Sequence, residues 1–268
     1  MIQELENERL NNSYRQTEPE RDDFVFAFSG ENVYIHKRDR AEIFLSEEIR
    51  GEKIYLFTIG NTRYFLYMGK PEGEDVKEVP VRSLRYTPDR KFVFALYTAF
   101  HLYQWYRDNQ YCGRCGKKME HDTRERMMKC SCGNRVYPKI SPAVIVAVTD
   151  KNERIVLTKY SGRVYKRYAL IAGFTEIGET AEETVAREVM EEVGLKVKNI
   201  RYYKSQPWGT DCDLLLGFTC EVDGDDTITM DENELSVAEW VKREDMETED
   251  DGLSLTGELM RMFKENRL

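Results

Sequence analysis

The sequence has no long apolar run. No stretch approaches the roughly 20 consecutive apolar residues that a membrane-spanning helix requires. The beginning of the chain, MIQELENERLNNSYRQ, is charged and polar and lacks the apolar core of a signal peptide. We therefore expect a cytoplasmic protein with no membrane partner.

Positive charge is also in short supply. The chain holds 40 Lys and Arg against 49 Asp and Glu, which gives a formal net charge of −9 and a pI near 5.2. Non-specific binding along a nucleic acid needs a basic surface. The charge balance argues against that kind of binding, although it does not exclude binding of a single nucleotide end.

The rest of the composition is typical of a folded protein. Hydrophobic residues make up 41% and aromatic residues 12% of the 268 positions. These proportions exclude a disordered chain, and the length allows two domains with a real core. Six cysteines in a reducing compartment indicate metal binding more than disulfide bonding.

The most informative stretch is residues 173–195, GFTEIGETAEETVAREVMEEVGL. Thr180 and Glu183 have the spacing of a capping box, which starts a helix. Gly194 supplies the left-handed residue that ends one. Helical spacing puts a set of apolar residues on one face to be buried, namely Val185, Ala186, Val189, Met190 and Val193.

Another face of this predicted helix is acidic. Glu188, Glu191 and Glu192 follow the i, i+3, i+4 spacing that brings side chains together, and like charges at this spacing destabilise an isolated helix. One interpretation is a solvated acidic face. The other is a site for a hard divalent cation such as Mg²⁺ or Mn²⁺, which carboxylate oxygens favour. The neighbouring Arg187 and Glu179 support the second interpretation.

The stretch resembles the Nudix box, G-x5-E-x7-R-E-U-x-E-E-x-G-U with U apolar, at every specified position. The resemblance implies an α/β/α sandwich that hydrolyses a nucleoside diphosphate linked to another group. It implies Mg²⁺ or Mn²⁺ ligands at Glu188, Glu191, Glu192 and the carbonyl of Ala172, and the second family resemblance, described below, adds Glu234 as a late ligand. It makes Glu192, Glu234 and Arg187 the candidate catalytic residues, with Glu192 or Glu234 as general base and Arg187 mainly bracing the loop and helix with Glu179.

Two pairs of cysteines, Cys112 with Cys115 and Cys130 with Cys132, stand fourteen residues apart. Four thiolates in two close pairs suit a tetrahedral structural Zn²⁺. The second pair has one intervening residue rather than two, which could strain one ligand. His121 lies between the pairs and could substitute for a cysteine, and the alternative is four reduced cysteines without metal.

The chain as a whole indicates an α+β protein. We predict a β-rich domain over residues 1–90, with a hairpin turn at Gly60-Asn61. A connecting helix over 91–110 and a zinc ribbon over 111–138 follow. The Nudix domain is predicted over 139–268, closed by an amphipathic helix at Leu253–Lys264.

Features outside the box resemble the NADH pyrophosphatase family. They are the four-cysteine ribbon directly before the domain, the linker at 136–142, and the tetrapeptide SQPW at 205–208. The resemblance implies cleavage of NADH or NAD⁺ to nicotinamide mononucleotide and AMP, and in some members removal of the NAD cap from RNA 5′ ends. It also implies a homodimer and candidate substrate-binding residues Tyr137, Phe174, Gln206 and Arg85.

One departure leaves the substrate open. After SQPW the family continues Pro-Phe-Pro-x-Ser, whereas this chain continues with residues 209–213, GTDCD. Two prolines that stiffen the loop are lost, and Asp213 replaces a hydroxyl with a carboxylate that would repel phosphate. The alternatives are a Nudix hydrolase of ADP-ribose or another dinucleotide, and a ligand-sensing Nudix binding module.

Overall fold

The computed structural model describes residues 1–37, 41–162, 167–247 and 252–268. The chain divides into two units. The N-terminal unit comprises Ile2–Lys139 together with Trp208–Cys212, and the C-terminal unit comprises Met1, Ile140–Pro207 and Asp213–Leu268. Within the described ranges, no helix is long and apolar enough to cross a membrane. The four-part division expected above stays a prediction.

The first part of the N-terminal unit is β-rich, as the sequence predicts. Its strands are β1 (Leu10–Asn11), β2 (Phe24–Ser29), β3 (Asn32–Lys37), β4 (Ala41–Glu42), β5 (Phe44–Leu45), β6 (Ile54–Ile59), β7 (Thr62–Tyr67) and β8 (Val76–Pro80). They pair in the order β1-β6-β7-β2-β3-β4, with β5 on β2 and β8 on β3. The predicted hairpin at Gly60-Asn61 is confirmed, because Ile59 pairs with Thr62 across it.

A long helix, α1 (Arg90–Asp108), follows this sheet. It begins where Asp89 accepts a hydrogen bond from the Phe92 amide at 3.0 Å, which satisfies a free N–H at the helix start. Its buried aromatic face packs on β2, where the Phe28 ring lies 5.0 Å from the Tyr103 ring. The aromatic stripe therefore forms core contacts within the N-terminal unit.

The ribbon, residues 111–138, has three short strands, β9 (Glu120–His121), β10 (Met128–Lys129) and β11 (Arg135–Val136). It is anchored on the preceding sheet. The register of β6 on β7 shifts between Tyr55 and Phe57, and Arg126 donates to the Leu56 carbonyl at that irregularity. Tyr14 donates to the Asp122 carbonyl at 2.9 Å.

The five residues after Pro207 pack on α1. The Trp208 ring meets the Tyr97 ring edge-on at 5.3 Å, and the Arg85 guanidinium lies 5.1 Å from the Trp208 ring centre. Asp211 accepts a hydrogen bond from Arg82 at 2.7 Å. These contacts hold a segment in which the sequence lacks the family's two prolines.

Gly209 is the tightest point of this segment. An added Cβ would lie 2.0 Å from the Tyr97 carbonyl oxygen, and a helix backbone cannot give way as a flexible side chain can. We expect Gly209→Ala to destabilise the N-terminal unit by about 1–3 kcal/mol, the usual cost of overpacking. Chemical denaturation measures this cost. Gly113→Ala is the matched control, since its Cβ would meet nothing within 4 Å, and equal stability of the two variants would contradict the packing argument.

The C-terminal unit is a mixed sheet with helices. Its elements are β12 (Ser141–Thr149), β13 (Arg154–Tyr160), β14 (Ile171–Phe174), α2 (Ala181–Val193), β15 (Val197–Trp208), β16 (Asp213–Val222), β17 (Leu235–Lys242) and α3 (Leu255–Lys264). The strand order is β15-β16-β12-β13-β17, with β14 also on β12. The β12–β16 pair is parallel, and the other β12 pairs are antiparallel.

The two helices cover opposite faces of β12. Because neighbouring residues of a strand point to opposite faces, Val144, Val146 and Val148 share one cluster with α2. Ile145 and Ala147 share the other cluster with α3. This arrangement confirms the predicted α/β/α sandwich and the α+β class of the chain.

Candidate active site

The site is built on β14, the loop after it and α2. The predicted capping box is present, with the Glu183 amide donating to Thr180 Oγ1 at 3.2 Å and the Thr180 amide donating to Glu183 Oε2 at 2.8 Å. Gly194 ends the helix in the left-handed region at φ 70°. Val185, Val189 and Val193 are fully buried. The sequence prediction was wrong for Ala186 and Met190, which are exposed beside the acidic face.

Arg187 forms hydrogen bonds with three glutamates at the acidic face. Its guanidinium donates to Glu179 at 2.6 Å, to Glu188 at 2.7 Å and to Glu191 at 2.9 Å. It also donates to the carbonyl of Phe174 at 2.9 Å, which ties the helix to the end of β14. One cation therefore offsets the repulsion among three carboxylates and fixes the loop. This geometry agrees with the bracing role that the resemblance implies.

The ionised form of Glu179 is strongly stabilised. Its hydrogen bond with Arg187, supported by the Glu176 amide, lowers its pKa to about 2. It also accepts from Thr184 Oγ1 at 3.0 Å. The same pairing raises the pKa of Arg187. Both groups thus stay charged at neutral pH.

Glu179→Gln should therefore destabilise the protein only where Glu179 is ionised. A carboxyl whose pKa is lower in the folded state adds stability above its unfolded pKa and loses that contribution as the pH falls towards its folded pKa. The gap in unfolding temperature between wild type and variant should shrink as the pH falls from about 4.5 towards about 2. Thermal unfolding across this range measures the gap, with Glu176→Gln as the exposed control. A gap that stays constant would contradict the pairing.

Glu188 lies where β14 and α2 meet. An added Cβ on Gly173 would fall 1.9 Å from the Glu188 carboxyl carbon, so only glycine leaves room for this carboxylate. Burial raises the pKa of Glu188, the Arg187 contact opposes that shift, and the charges of Glu191 and Glu234 add to it. The exposed Glu234, distant in sequence, is therefore close enough to act electrostatically on Glu188.

Glu192 is buried beneath the loop, with 1% of the residue exposed. Its Oε1 lies 3.5 Å from the Ala172 amide nitrogen. The carbonyl of Ala172, predicted as a metal ligand, accepts a hydrogen bond from the Tyr160 hydroxyl at 3.5 Å. Sequence reasoning missed Tyr160, because nothing in the composition of a strand marks which residue contacts the strand that follows it in the chain.

The four predicted substrate-binding residues differ in exposure. Phe174 is 53% exposed at the end of β14 in the C-terminal unit. Tyr137 and Arg85 belong to the N-terminal unit, where Tyr137 is 50% exposed and donates to Glu125 at 2.8 Å. Arg85 packs on Trp208 as described above. Their roles toward a substrate stay predictions.

Gln206 requires a correction. It is fully buried, and its amide group donates to the Leu253 carbonyl at 2.7 Å and accepts from the Leu255 amide at 2.7 Å. Both polar atoms are thus used to fix the start of α3. The prediction that this side chain contacts a substrate is wrong for this conformation, because a buried side chain with two internal partners offers no free group.

The four cysteines predicted to bind zinc come together in the ribbon. Their sulfur atoms all lie within 4.8 Å of one another, with 3.7 Å between Cys112 and Cys132 and 3.5 Å between Cys115 and Cys130. Burial opposes ionisation of Cys112, but N–H donors from Arg114, Cys115 and Asn134 outweigh it and lower the pKa of this thiol to about 6. The cluster could hold a metal ion.

His121 packs instead on an aromatic ring. Its ring centre lies 5.1 Å from that of Tyr106. We looked among the described residues for three or more His, Cys, Asp or Glu side chains whose ligand atoms all lie within 4.8 Å of one another. The four thiols form such a group, and His121 does not belong to it. The box carboxylates lie further apart, with the Arg187 guanidinium between Glu188 and Glu191.

Known proteins match the second half of the chain. Residues 139–261 match the NUDIX domain family. Curated relatives include the NAD-capped RNA hydrolase NudC of Escherichia coli O9:H4 (strain HS) and that of Escherichia fergusonii, each 43% identical over 146 residues. The match covers 54% of this chain and 56% of each relative, so the chain spans about half the length of the curated relatives it matches.

A solved structure agrees on the fold. The crystal structure of a NUDIX hydrolase from Nitrosomonas europaea superposes with a TM-score of 0.50 at 20% identity, covering 58% of this chain and 91% of that chain. At this identity the likeness concerns the fold alone. Together with the box geometry and the NudC matches, it shows that residues 139–261 form a NUDIX domain.

Proposed function

We propose that the protein hydrolyses the pyrophosphate of NADH and NAD⁺, giving the nicotinamide mononucleotide and AMP, and that it also removes NAD caps from RNA. The observation that carries the proposal is the complete Nudix box, folded with its carboxylates around Arg187. The name of the NudC relatives, NAD-capped RNA hydrolase, supports the choice of substrate.

The catalytic cofactor we propose is Mg²⁺ or Mn²⁺. The donor set fits a hard cation, because Glu188, Glu191, Glu192 and Glu234 offer carboxylate oxygens and Ala172 a carbonyl. Because residue 173 is a glycine, the Glu188 carboxylate can lie against the loop. A carboxylate in that position is suited to bind a cation. A bound divalent ion would neutralise the charge of the diphosphate and make water easier to deprotonate.

The protein's own residues position the reaction and accept a proton. Water forms a bond to one phosphorus, the bridging P–O bond breaks, and the proton from the water passes to the carboxylate of Glu192 or Glu234. Arg187 and Glu179 hold the loop that carries Ala172 and Glu188. The buried Glu192 lies under that loop, whereas Glu234 stands in the exposed turn before β17, close enough for its charge to raise the pKa of Glu188.

We propose Zn²⁺ as the metal of the ribbon. Tetrahedral zinc with Zn–S bonds of about 2.3 Å places its sulfurs about 3.8 Å apart. The observed separations of 3.7 and 3.5 Å agree with that spacing. The pair Cys130 and Cys132 has one intervening residue instead of two, and its sulfur atoms still reach the separation that zinc requires. This zinc would stabilise the fold and take no part in hydrolysis.

We also propose a homodimer, with Phe174 near a shared site. Two large apolar side chains of the box region, Phe174 and Ile177, are 53% and 104% exposed. The two residues are three positions apart at and just after the end of β14, and exposed apolar patches mark interaction surfaces. Light scattering of the purified protein measures the number of chains, and a monomer at micromolar concentration would contradict this part of the proposal.

The altered segment after SQPW bears on the alternative substrate, ADP-ribose or another dinucleotide. Asp213, expected to repel phosphate, is 7% exposed and begins β16, so its carboxylate is withdrawn from the surface. The negative charge of Asp211 is offset by its ion pair with Arg82. The segment therefore carries less exposed negative charge than its sequence indicates, which removes the objection to NADH as a substrate but does not separate it from ADP-ribose, since both contain a diphosphate.

A panel of substrates tests the proposal. NADH, NAD⁺, ADP-ribose and NAD-capped RNA are each incubated with the protein and Mg²⁺ or Mn²⁺, and the products are separated by chromatography. We expect rapid conversion of NADH and NAD⁺ and release of the cap. Turnover of ADP-ribose with NADH intact would establish the alternative substrate. Binding without any turnover would establish a sensing module.

A further inference from the structure

The ribbon carries a charge opposite to that of the rest of the chain. Residues 111–138 hold seven Lys and Arg and three Asp and Glu, which leaves 33 basic and 46 acidic residues elsewhere. The ribbon thus has a net charge of +4, against −13 for the remainder. Four thiolates around a divalent ion would add −2, which still leaves the ribbon positive.

Most of this charge is accessible. Five of the seven basic side chains are exposed, namely Arg114, Lys117, Lys118, Arg124 and Arg135. None of these five pairs with an acidic group in the part of the chain that the structure describes. The other two are engaged, Arg126 with the Leu56 carbonyl and Lys129 with Asp122 at 3.3 Å. The exposed cations are therefore open to an external anion.

Exposed tyrosines stand beside these cations. Tyr111 is 65% exposed and is joined to Lys118 by an antiparallel bridge, which places the two side chains next to each other. Tyr137 is 50% exposed. Its hydrogen bond to Glu125 raises its pKa, and the positive charge of the nearby Arg135 acts in the opposite direction. Each end of the ribbon thus pairs an aromatic ring with a cation.

We propose that the ribbon binds single-stranded nucleic acid, and that its partner is the RNA chain that follows an NAD cap. Cations that track phosphates and aromatic rings that stack on bases are the two elements of single-strand binding. An acidic protein partner would also bind the exposed cations, but it would leave the exposed tyrosines without a role. The identity of the RNA as a capped substrate rests on the proposed function, whereas the binding itself does not.

The test measures binding of uncapped RNA to the full chain. A fluorescent single strand of about 16 nucleotides is titrated with wild type and with the triple variant Arg114→Gln, Lys117→Gln, Lys118→Gln. We expect the dissociation constant to rise at least about tenfold and the slope of log affinity against log salt to fall by about 2, since each phosphate contact on a single strand contributes about 0.7. Zinc content verifies that the ribbon is folded.

The matched control removes three exposed cations from the C-terminal unit, through Lys151→Gln, Lys196→Gln and Arg201→Gln. Equal loss of RNA binding in both triple variants would overturn the assignment to the ribbon. A double variant, Tyr111→Ala with Tyr137→Ala, should weaken RNA binding at an unchanged salt slope. Polyphosphate binding as tight as that of RNA would overturn the assignment to nucleic acid.

Hydrolysis of NADH separates this proposal from the proposed function. The ribbon triple variant should cleave NADH at the wild-type rate and lose activity on NAD-capped RNA alone. If neither substrate is cleaved by any variant, the proposed function fails, and the RNA titration still decides whether the ribbon binds a single strand.

Discussion

Glu192→Gln is expected to lower kcat for NADH hydrolysis by about 10²–10⁴-fold, the range over which a positioned acid or base contributes. The substitution preserves the volume of a side chain that is 1% exposed and removes only its charge and its capacity to accept a proton. The fold should therefore survive, and zinc content should not change. Steady-state kinetics and thermal unfolding measure the two effects separately.

Glu182→Gln is the matched control for this prediction. It makes the same change of charge in the first turn of the same helix, at an exposed position for which the box specifies no residue. Activity of Glu192→Gln close to that of the control would contradict the assignment of the site. Glu234→Gln completes the comparison, because the substitution that abolishes the acidic limb of the pH–rate profile identifies the general base.

Cys112→Ser is expected to have the second largest effect, on folding. Structural zinc supplies folding free energy, with apparent binding free energies of about 10–16 kcal/mol in small zinc domains. Loss of one ligand should release the metal and unfold the ribbon. The contacts that Arg126 and Tyr14 make between the ribbon and the preceding sheet should then also be lost. Metal analysis should give one zinc per chain for wild type and none for the variant.

Cys212→Ser is the control, since Cys212 lies outside the cluster and contacts Gln104 at 3.4 Å. It should keep its zinc and its resistance to proteolysis, whereas Cys112→Ser should be cleaved within residues 111–138. Full zinc content and unchanged unfolding temperature in Cys112→Ser would show that the four thiols hold no structural metal.

Features governed by neighbouring residues could be predicted from the sequence. The capping box at Thr180, the stop at Gly194 and the hairpin at Gly60 each depend on a few adjacent residues with strong backbone preferences. The clustering of four thiols also followed from two close pairs. In each case the physical cause lies within a short stretch of chain.

Features that depend on distant partners could not be predicted. Gln206 is fixed by Leu253 and Leu255, almost 50 residues away. The segment that begins at Trp208 is stabilised by Arg82, which pairs with Asp211, and by the Tyr97 ring, which contacts Trp208, and no pattern in SQPW indicates either contact. Periodicity likewise placed Met190 in the core, although the sheet covers a narrower stripe of the helix and leaves it 41% exposed.

The decisive measurement is the identity of the products that the protein forms from NADH in the presence of Mg²⁺ or Mn²⁺. Hydrolysis at the pyrophosphate predicts reduced nicotinamide mononucleotide and AMP in equal amounts, and their loss in Glu192→Gln. Release of free nicotinamide, or products that form equally fast in Glu192→Gln, would place the cleaved bond or the catalytic group elsewhere and contradict the proposed function.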